Sequence, residues 1–331
     1  MLLPFLQFFL SALVIIIAGT FLVRFADQIS DITKLGRLFV GSVFLASATS
    51  LPELLVDLSA VKNNMPDLAV GDLIGSSVFN LMILAIADLL HKGKSPIFSQ
   101  ASSRHAISGA MSISVTAIAG ISIFLEPRLF NFSIGEIGLG PIAIAVSYIL
   151  GLRLIYFDQK ITSNNQKIDM RDIKAQKFFN AVTGYLISAL FILIAAPVLA
   201  EAGGKIAKLS GLGNTFVGTT LIALSTSLPE LVSTISAVRK GSFDLALGNI
   251  FGSNTFNMLL LVPLDMIFKG SLLGAVNPIH IFTCFSTILI TSIAVMGQLY
   301  QVEQRKKIIE PDALVVIFLV ILANCVLYIL R

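Results

Sequence analysis

The chain has 331 residues, of which 56% are hydrophobic and 13% charged, with a formal net charge of +4. A soluble globular domain carries about a quarter charged residues, so this composition, with a mean hydropathy of +0.90, excludes an ordinary soluble protein. The apolar residues also occur in long runs, and about 20 such residues are enough for a helix to cross the hydrocarbon core of a bilayer. We therefore expect an all-α integral membrane protein whose main surroundings are the lipid bilayer.

Ten apolar runs are long enough to cross a membrane. In chain order they are about 3–25, 36–61, 67–90, 105–126, 134–157, 178–200, 214–238, 244–268, 278–300 and 309–330. Most connections are short, and the one long polar stretch is "FDQKITSNNQKIDMRDIKAQK" at 157–177. We expect a first five-helix half at 1–158, a loop at 159–177 and a second five-helix half at 178–331.

The basic residues predict the orientation of these spans. Of the 23 lysines and arginines, 17 lie in one set of alternate loops and their margins, and 6 lie on the other side. Cytoplasmic loops carry the excess of positive charge, so both termini are expected outside and the central loop in the cytoplasm. The same distribution accounts for the basic pI of 9.1 without a nucleic-acid partner, and no obligatory protein partner is evident.

Two segments of the chain repeat each other. Residues 41–93 align without a gap with residues 218–270, and 23 of the 53 aligned positions are identical. "ASATSLPELL" at 46–55 matches "ALSTSLPELV" at 223–232, and polar residues match as well as apolar ones. Because each half has an odd number of spans, the halves enter the membrane from opposite sides. Inverted repeats of this kind place the substrate site of a transporter near the bilayer midplane.

Each repeat places a proline inside a predicted span. Pro52 and Pro229 have no amide hydrogen and clash with the carbonyl four residues earlier in a helix. An unsatisfied carbonyl in lipid costs several kcal/mol, so the opened backbone must face protein, water or an ion. We therefore expect helices 2 and 7 to be interrupted near the midplane.

Glu53 and Glu230 directly follow these prolines. A charged side chain at mid-span costs ~2.5–3.5 kcal/mol on insertion scales, and a bound cation or a proton would offset that cost. The following spans add a helical stripe of Asp72, Ser76 and Asn80 in the first repeat. Its counterpart in the second repeat is Asn249, Ser253 and Asn257.

All of these side chains offer oxygen ligands, and the set contains neither histidine nor cysteine. Ca²⁺ takes 6–8 oxygen ligands in a flexible shell, so the chemistry suits Ca²⁺ better than zinc or copper. Two carboxylates balance one divalent ion, or they hold two or three monovalent ions together with hydroxyl and carbonyl oxygens. A site that binds either one divalent ion or several monovalent ions, but not both at once, is the physical basis of exchange.

The two motifs resemble those of the calcium/cation antiporter superfamily and its prokaryotic sodium/calcium exchanger-like membrane proteins. These carry a "TS-x-PE" helix followed by "GN-x-x-GSN-x-x-N/D", and here the corresponding stretches are "TSLPE" at 49–53 and 226–230, "GDLIGSSVFN" at 71–80 and "GNIFGSNTFN" at 248–257. The resemblance implies a secondary antiporter that exchanges Ca²⁺ for Na⁺ or H⁺ across the cell inner (cytoplasmic) membrane by alternating access. It implies transported ions and no cofactor.

The resemblance also implies ligands by position. The central ligands would be Glu53, Asn80, Glu230 and Asn257, and the flanking sites would use Thr49, Ser50, Ser76, Thr226, Ser227 and Ser253, with the backbone carbonyls of Ala46 and Ala223. Asp72 stands where the family usually has asparagine, and Asp57 lies one turn beyond Glu53. Family position places Asp72 with the metal ligands, while a structural role for it stays open, as does the role of Asp57.

Other classes of function are less consistent with the residues. The chain has no nucleophile elbow, phosphate-binding loop or zinc-type His/Glu spacing, so we do not expect an enzyme. A cation channel usually builds its filter from several subunits, whereas this chain carries its own inverted pair. Na⁺ and H⁺ both remain as counter-ions, and the hydroxyl groups favour Na⁺.

Overall fold

The structure is a computed structural model that describes residues 2–91, 97, 103–129, 133–134, 137–163, 175–209, 225–300 and 311–330. Within these residues nine helices are long and apolar enough to cross a membrane. The all-α membrane architecture predicted from composition is therefore confirmed.

The first half of the chain contains most of its predicted helices with small shifts at their ends. Its elements are α1 (Leu2–Thr33), α2 (Arg37–Val40), a π-helical turn (Gly41–Leu45), α3 (Ala46–Lys62), α4 (Pro66–Leu90), α5 (Ser103–Leu129), β1 (Ser133–Ile134), β2 (Ile137–Gly138) and α6 (Leu139–Ser163). The two short strands form an antiparallel hairpin in which Ser133 faces Gly138. The predicted fifth span, 134–157, includes part of this hairpin, but α6 begins at Leu139, so the helix starts later than expected.

The described part of the second half consists of helices and their connections. Its elements are α7 (Ala175–Leu209), α8 (Leu228–Arg239), α9 (Phe243–Ile267), α10 (Leu272–Ala275), α11 (Ile279–Tyr300) and α12 (Pro311–Leu330). The predicted seventh span, 214–238, is only partly covered, because the described residues resume at Ser225. The loop predicted at 159–177 also lies largely outside the described residues.

The prolines of the two repeats have different local structures. Pro52 lies inside α3, which runs through it without a break, and the departure from α-helical geometry comes earlier, in the π-helical turn Gly41–Leu45. In the second repeat Ser227 is a turn residue, and Pro229 occupies the first turn of α8. Proline is tolerated in the first turn of a helix because its missing amide hydrogen has no partner there in any case.

The helices form two compact units. Unit 1 comprises Met1–Pro52 and Leu152–Gly252, and unit 2 comprises Glu53–Gly151 and Ser253–Arg331. Each unit takes helices from both sequence halves, and the boundaries fall inside α3, α6 and α9. The two repeats are thus each divided between the units.

In unit 1, α1 packs along α7 and α8. A small apolar core is formed there by Ile15, Ala195, Ala196 and Leu199. Gly248 and Gly252 of α9 lie directly against the segment that precedes α3. A methyl group on Gly248 would lie 2.7 Å from the carbonyl oxygen of Leu38, and one on Gly252 would lie 2.5 Å from Cα of Ser42. Two glycines four residues apart thus let α9 pack closely against this segment, as small residues at this spacing do in membrane helices.

Unit 2 holds the larger apolar core. Its buried side chains come from α3, α4, α5, α6, α9, α10 and α11, and include Leu73, Ile74, Val115, Ile144, Leu261, Leu264 and Leu273. Helix α11 packs against α5, α4 and α12, and α12 also packs against α4. These contacts fix α4, which carries the polar stripe of the first repeat, among apolar neighbours.

Candidate ion-binding site

Glu230 is the centre of a buried polar cluster in unit 1. It lies in the first turn of α8 with no exposed surface. The hydroxyl of Ser50, on the first turns of α3, donates to Glu230 Oε1 over 3.2 Å. The repeat thus brings a hydroxyl of the first TSLPE motif to the carboxylate of the second.

Asn249 connects the same elements through a second set of hydrogen bonds. Its Nδ2 donates to Ser233 Oγ at 3.2 Å and to Thr234 Oγ1 at 3.1 Å, and its Oδ1 accepts from Thr49 Oγ1 at 3.4 Å. All four side chains are buried. Because both donor hydrogens and the acceptor of this amide are used, Asn249 is held in one orientation.

The start of α8 adds further oxygen atoms. Ser227 has φ −89° and ψ 9°, and its carbonyl accepts from Leu231 N at 3.1 Å. Its buried hydroxyl has no hydrogen-bond partner among the described residues. Thr226 is also buried. A helix N-terminus favours negative charge, so the backbone here stabilises the Glu230 carboxylate.

The carbonyl proposed as a ligand at Ala46 lies at the start of α3. It accepts from Thr49 Oγ1 at 3.2 Å, and the same hydroxyl approaches Leu45 O at 3.2 Å. Its counterpart, Ala223, lies outside the described residues.

Unit 2 contains the first glutamate. Glu53 lies on α3 with 1% of its surface exposed, and Asp57, one turn later on the same helix, is equally buried. Both side chains belong to the membrane-spanning helix Arg37–Lys62. Ionisable groups at such depth are rare and mark ion or proton paths.

The polar stripe of α4 faces other buried amides in unit 2. Asn80 Nδ2 donates to Asn254 Oδ1 at 3.0 Å, and Asn254 Nδ2 donates to the carbonyl of Ser77 at 3.0 Å. Ser76 on α4 and Ser253 on α9, which are close in sequence to these asparagines, are also buried. The amide chain joins the second motif of each repeat.

Two amide oxygens in unit 2 remain available. Asn80 Oδ1 and both polar atoms of Asn257 are buried without a hydrogen-bond partner in the part of the chain that the structure describes. A buried polar group with no partner costs about 1–3 kcal/mol. These oxygens therefore suit a ligand that supplies positive charge.

Twelve of the thirteen predicted ligands are buried or half-buried, and they are divided between the two units. The thirteenth, Ala223, lies outside the described residues. Within the described residues there is no group of three or more His, Cys, Asp or Glu side chains that could hold a metal ion.

Some residues of these networks were not among the predicted ligands. Asn249 and Asn254 belong to the second motif itself, so the repeat alignment already drew attention to them. Ser233 has no such signal, because Val56 occupies the equivalent position. Its role depends on a contact across elements, which the local sequence does not encode.

Asp88 and Asp265 occupy equivalent positions near the ends of α4 and α9. Asp265 Oδ1 accepts from Leu272 N at 2.8 Å and its Oδ2 accepts from Gly138 N at 2.7 Å. Asp88 Oδ1 accepts from Ile97 N at 2.5 Å. Both are buried, so these aspartates anchor the connections that follow their helices.

Comparison with known proteins adds independent evidence. The family model described as sodium/calcium exchanger protein matches residues 3–163 and 180–328. The inner membrane protein YrbG of Escherichia coli is 28% identical over 260 residues, covering 77% of this chain and 76% of YrbG. The sodium/calcium exchanger MaX1 of Methanosarcina acetivorans is 27% identical over 285 residues, covering 78% of this chain and 81% of MaX1.

Among solved structures, the sodium-calcium exchanger NCX_Mj soaked with 10 mM Na⁺ and no Ca²⁺ matches with a TM-score of 0.74. The match covers 98% of this chain and 99% of that one at 18% identity. The likeness shows that this chain has the fold of a ten-helix exchanger built from inverted repeats. With the family match over nearly the whole length, these findings show that the chain is a multi-pass membrane transporter that belongs to the sodium/calcium exchanger protein family.

Proposed function

We propose that this protein exchanges Ca²⁺ for Na⁺ across the cytoplasmic membrane by alternating access and that it exports Ca²⁺. One observation carries the proposal. Each repeat contains a buried glutamate, and Glu230 accepts a hydrogen bond from the hydroxyl of Ser50 in a cluster of neutral oxygen atoms. Carboxylates surrounded by hydroxyl, amide and carbonyl oxygens are suited to hard cations such as Ca²⁺ and Na⁺.

The proposed ligands are the residues matched by position in both repeats. They are Glu53, Glu230, Asn80, Asn257, Thr49, Ser50, Ser76, Thr226, Ser227, Ser253, Asp72 and the carbonyls of Ala46 and Ala223. The two glutamates neutralise one Ca²⁺. The hydroxyls and carbonyls complete the coordination of Na⁺ ions that replace it.

Na⁺ is proposed as the counter-ion because Na⁺ binding needs additional neutral oxygen atoms, which the buried hydroxyls of Thr49, Ser50, Thr226 and Ser227 provide. If three Na⁺ replace one Ca²⁺, one net charge crosses per cycle. Each such charge is worth ~2.3 kcal/mol per 100 mV of membrane potential. We also propose that both termini lie outside and the central loop in the cytoplasm. Whatever the orientation of the chain, an inward Na⁺ gradient and a negative interior both favour Ca²⁺ export at this stoichiometry.

Flux into proteoliposomes tests the proposal. Purified protein is reconstituted into vesicles loaded in turn with Na⁺, K⁺ or acidic buffer, and uptake of ⁴⁵Ca²⁺ is followed after dilution. We expect uptake only from Na⁺-loaded vesicles. Uptake should be faster when the vesicle interior is held positive, because three Na⁺ leaving for each Ca²⁺ that enters carry one net positive charge out. Uptake driven by the pH gradient alone would identify a H⁺/Ca²⁺ exchanger, and uptake independent of internal ions would identify a channel.

A further inference from the structure

One tyrosine of α7 contacts the π-helical turn that precedes α3. The hydroxyl of Tyr185 donates to the carbonyl oxygen of Phe44 at 2.5 Å. The ring of Tyr185 packs edge-on against the ring of Phe44, with the two centroids 6.4 Å apart. Tyr185 is 8% exposed, and both residues belong to unit 1. A single side chain of α7 thus contacts both the backbone and the side chain of the turn.

Close packing restricts the movement of the turn and of Tyr185. A methyl group on Gly41, the first residue of the turn, would lie 2.8 Å from the carbonyl oxygen of Leu245 in α9. This is a contact between backbones, so a change of rotamer cannot relieve it. A methyl group on Gly184, beside Tyr185, would lie 2.3 Å from the ring of Phe25 in α1. The hydrogen bond from Tyr185 therefore joins two closely packed segments of unit 1.

The turn leads directly into two of the proposed ligands. The carbonyls of Phe44, Leu45 and Ala46 each accept a hydrogen bond from a side-chain hydroxyl. For Leu45 and Ala46 the donor is Thr49 Oγ1, which lies 3.2 Å from each oxygen. π-helical turns interrupt the regular hydrogen bonding of a helix and are frequent at functional sites. A shift of the Phe44 carbonyl would therefore reach the Ala46 carbonyl and the Thr49 hydroxyl through the same short run of backbone.

We propose that Tyr185 is a positioning residue that sets the affinity of the exchange site for Na⁺. Its hydrogen bond to Phe44 fixes the π-helical turn, and the turn fixes the directions of the Ala46 carbonyl and the Thr49 hydroxyl. The inference rests on the proposed function, in which these two neutral oxygens serve Na⁺ while the two glutamates neutralise Ca²⁺. Because the affinity for Ca²⁺ follows the charge of its ligands, Tyr185 affects the binding of Na⁺ more than that of Ca²⁺.

Tyr185→Phe removes the hydroxyl and keeps the ring that packs on Phe44. Uptake of ⁴⁵Ca²⁺ into proteoliposomes is measured against internal Na⁺ at fixed external Ca²⁺, and against external Ca²⁺ at fixed internal Na⁺. We expect the Na⁺ concentration for half-maximal uptake to rise by about two- to tenfold, the range for one hydrogen bond, and the Ca²⁺ value to stay unchanged. A merely structural defect would lower the amount of active protein and the maximal rate without moving the Na⁺ value alone.

Tyr148→Phe is the matched control. Tyr148 is 7% exposed, its ring lies 6.4 Å from the ring of Phe256, and it belongs to unit 2. The substitution removes the hydroxyl of an equally buried tyrosine, so both half-maximal concentrations are expected to equal those of the wild type. The same rise in the Na⁺ value in Tyr148→Phe would show that the effect is not specific to Tyr185 and would overturn the proposal.

Ser47→Ala tests the same carbonyl without a change in α7. Ser47 Oγ also donates to the carbonyl oxygen of Phe44, at 3.0 Å. We expect the Na⁺ value to rise by a smaller factor than in Tyr185→Phe, because the shorter bond from Tyr185 remains. Monodispersity on gel filtration identifies variants that have folded. If Tyr185→Phe does not fold, a wild-type Na⁺ dependence in Ser47→Ala would overturn the proposal.

The failure of this inference differs from the failure of the proposed function. A folded Tyr185→Phe protein with a wild-type Na⁺ dependence, or with equal shifts in the Na⁺ and Ca²⁺ values, would overturn the role of Tyr185 and leave Na⁺/Ca²⁺ exchange standing. A wild-type protein without Na⁺-driven uptake would overturn the proposed function, and this inference with it.

Discussion

The two repeats share their helical framework and differ in how their buried polar groups are satisfied. In the second repeat, Asn249 uses both amide hydrogens and its oxygen in bonds to Ser233, Thr234 and Thr49. In the first repeat, the equivalent of Asn249 is Asp72, a carboxylic acid in place of an amide. Every polar atom of the Asn249 side chain thus has a neutral partner, whereas Asp72 Oδ2 has no hydrogen-bond partner among the described residues.

This difference shows what the duplication preserved. The proline, the glutamate and the motif glycines occur in both copies, although Pro52 lies inside α3 and Pro229 lies in the first turn of α8. The residues beside them have diverged. A buried polar group without a partner is costly, so the first repeat is expected to depend on bound cations for its stability more than the second.

The largest expected effect comes from removing the charge that both repeats retain. Glu53→Gln and Glu230→Gln each keep the side-chain shape and remove one carboxylate from the proposed Ca²⁺ site. Removing one partner of a buried charge pair costs about 3–5 kcal/mol, which corresponds to roughly 100-fold or greater loss of Ca²⁺ affinity. We expect no measurable ⁴⁵Ca²⁺ exchange in proteoliposomes for either variant.

Glu201→Gln is the matched control for these substitutions. Glu201 lies on the exposed face of α7 and pairs with Lys205 at 2.7 Å, so its neutralisation leaves exchange at the wild-type rate. Normal exchange in one of the two buried variants would show that the two glutamates contribute unequally to Ca²⁺ transport. Normal exchange in both would show that neither glutamate is a required ligand of the transported Ca²⁺.

The glycine packing of unit 1 predicts the next largest effect. A methyl group in Gly252→Ala would lie 2.5 Å from a backbone atom of Ser42, which has little freedom to move. Overpacking of this kind typically costs about 1–3 kcal/mol. We expect a clear fall in the temperature at which half the protein stays monodisperse after heating.

Gly120→Ala in unit 2 provides the comparison. Its added methyl group would lie 3.1 Å from Cβ of Cys284, and a side chain yields more easily than backbone. The expected loss is therefore smaller than that of Gly252→Ala. The reverse order would show that the close approach of α9 to the π-helical turn is less rigid than the contact distances indicate.

Much of the fold was predictable from local sequence. A run of apolar residues long enough to span the membrane predicts a helix regardless of its neighbours, because backbone groups in lipid must be satisfied within the segment. The ends were less predictable. Ser133–Ile134 and Ile137–Gly138 pair as two short strands, and Gly138 is held by Asp265, far along the chain. The π-helical turn before Ala46 similarly lies against glycines of α9, which no local pattern reveals.

The residues of the candidate site could be predicted only in part from the sequence. The repeat identified Glu53, Glu230, Asn80 and Asn257 because the same polar letters recur at a fixed spacing in apolar surroundings. It did not identify Ser233, which supports Asn249 from another helix. At Pro52 the sequence predicts a change that the structure does not contain. A proline at this position indicates a weakened helix, but α3 continues through it.

Thr234→Val tests the neutral network of the second repeat. The substitution removes the hydroxyl that accepts from Asn249 Nδ2 and leaves a side chain of similar shape. One hydrogen bond contributes about 0.5–1.5 kcal/mol, with a further cost if the amide is left unpaired. We expect lower thermal stability and a modest rise in the Ca²⁺ concentration for half-maximal exchange.

Thr234→Ser keeps the hydroxyl and is expected to behave like the wild type in both measurements. A Thr234→Val protein that equals Thr234→Ser would show that Asn249 is held by Ser233 and Thr49 alone.

The smallest expected effect concerns the turns that follow α3 and α8, which are equivalent in the repeats but are held differently. After α3, Asn63 Nδ2 donates to the carbonyl of Ser59 at 2.8 Å, so that turn is closed locally. After α8, Ser242 and Lys240 bind Asp27 of α1, at 3.2 Å and 3.4 Å. The second turn thus depends on a distant helix.

Asp27→Asn weakens the connection between α1 and this turn. It also removes the ion pair with Arg37, whose Nε lies 2.7 Å from Asp27 Oδ1. The partners are partly exposed, and exposed ion pairs contribute only about 0–1 kcal/mol each, so we expect a loss of thermal stability of about 1 kcal/mol. Asp31→Asn removes a more exposed contact with the same arginine and should change stability less. Equal shifts in the two variants would mean that Asp27 does not hold the turn after α8, and the two repeats would then be alike in this respect.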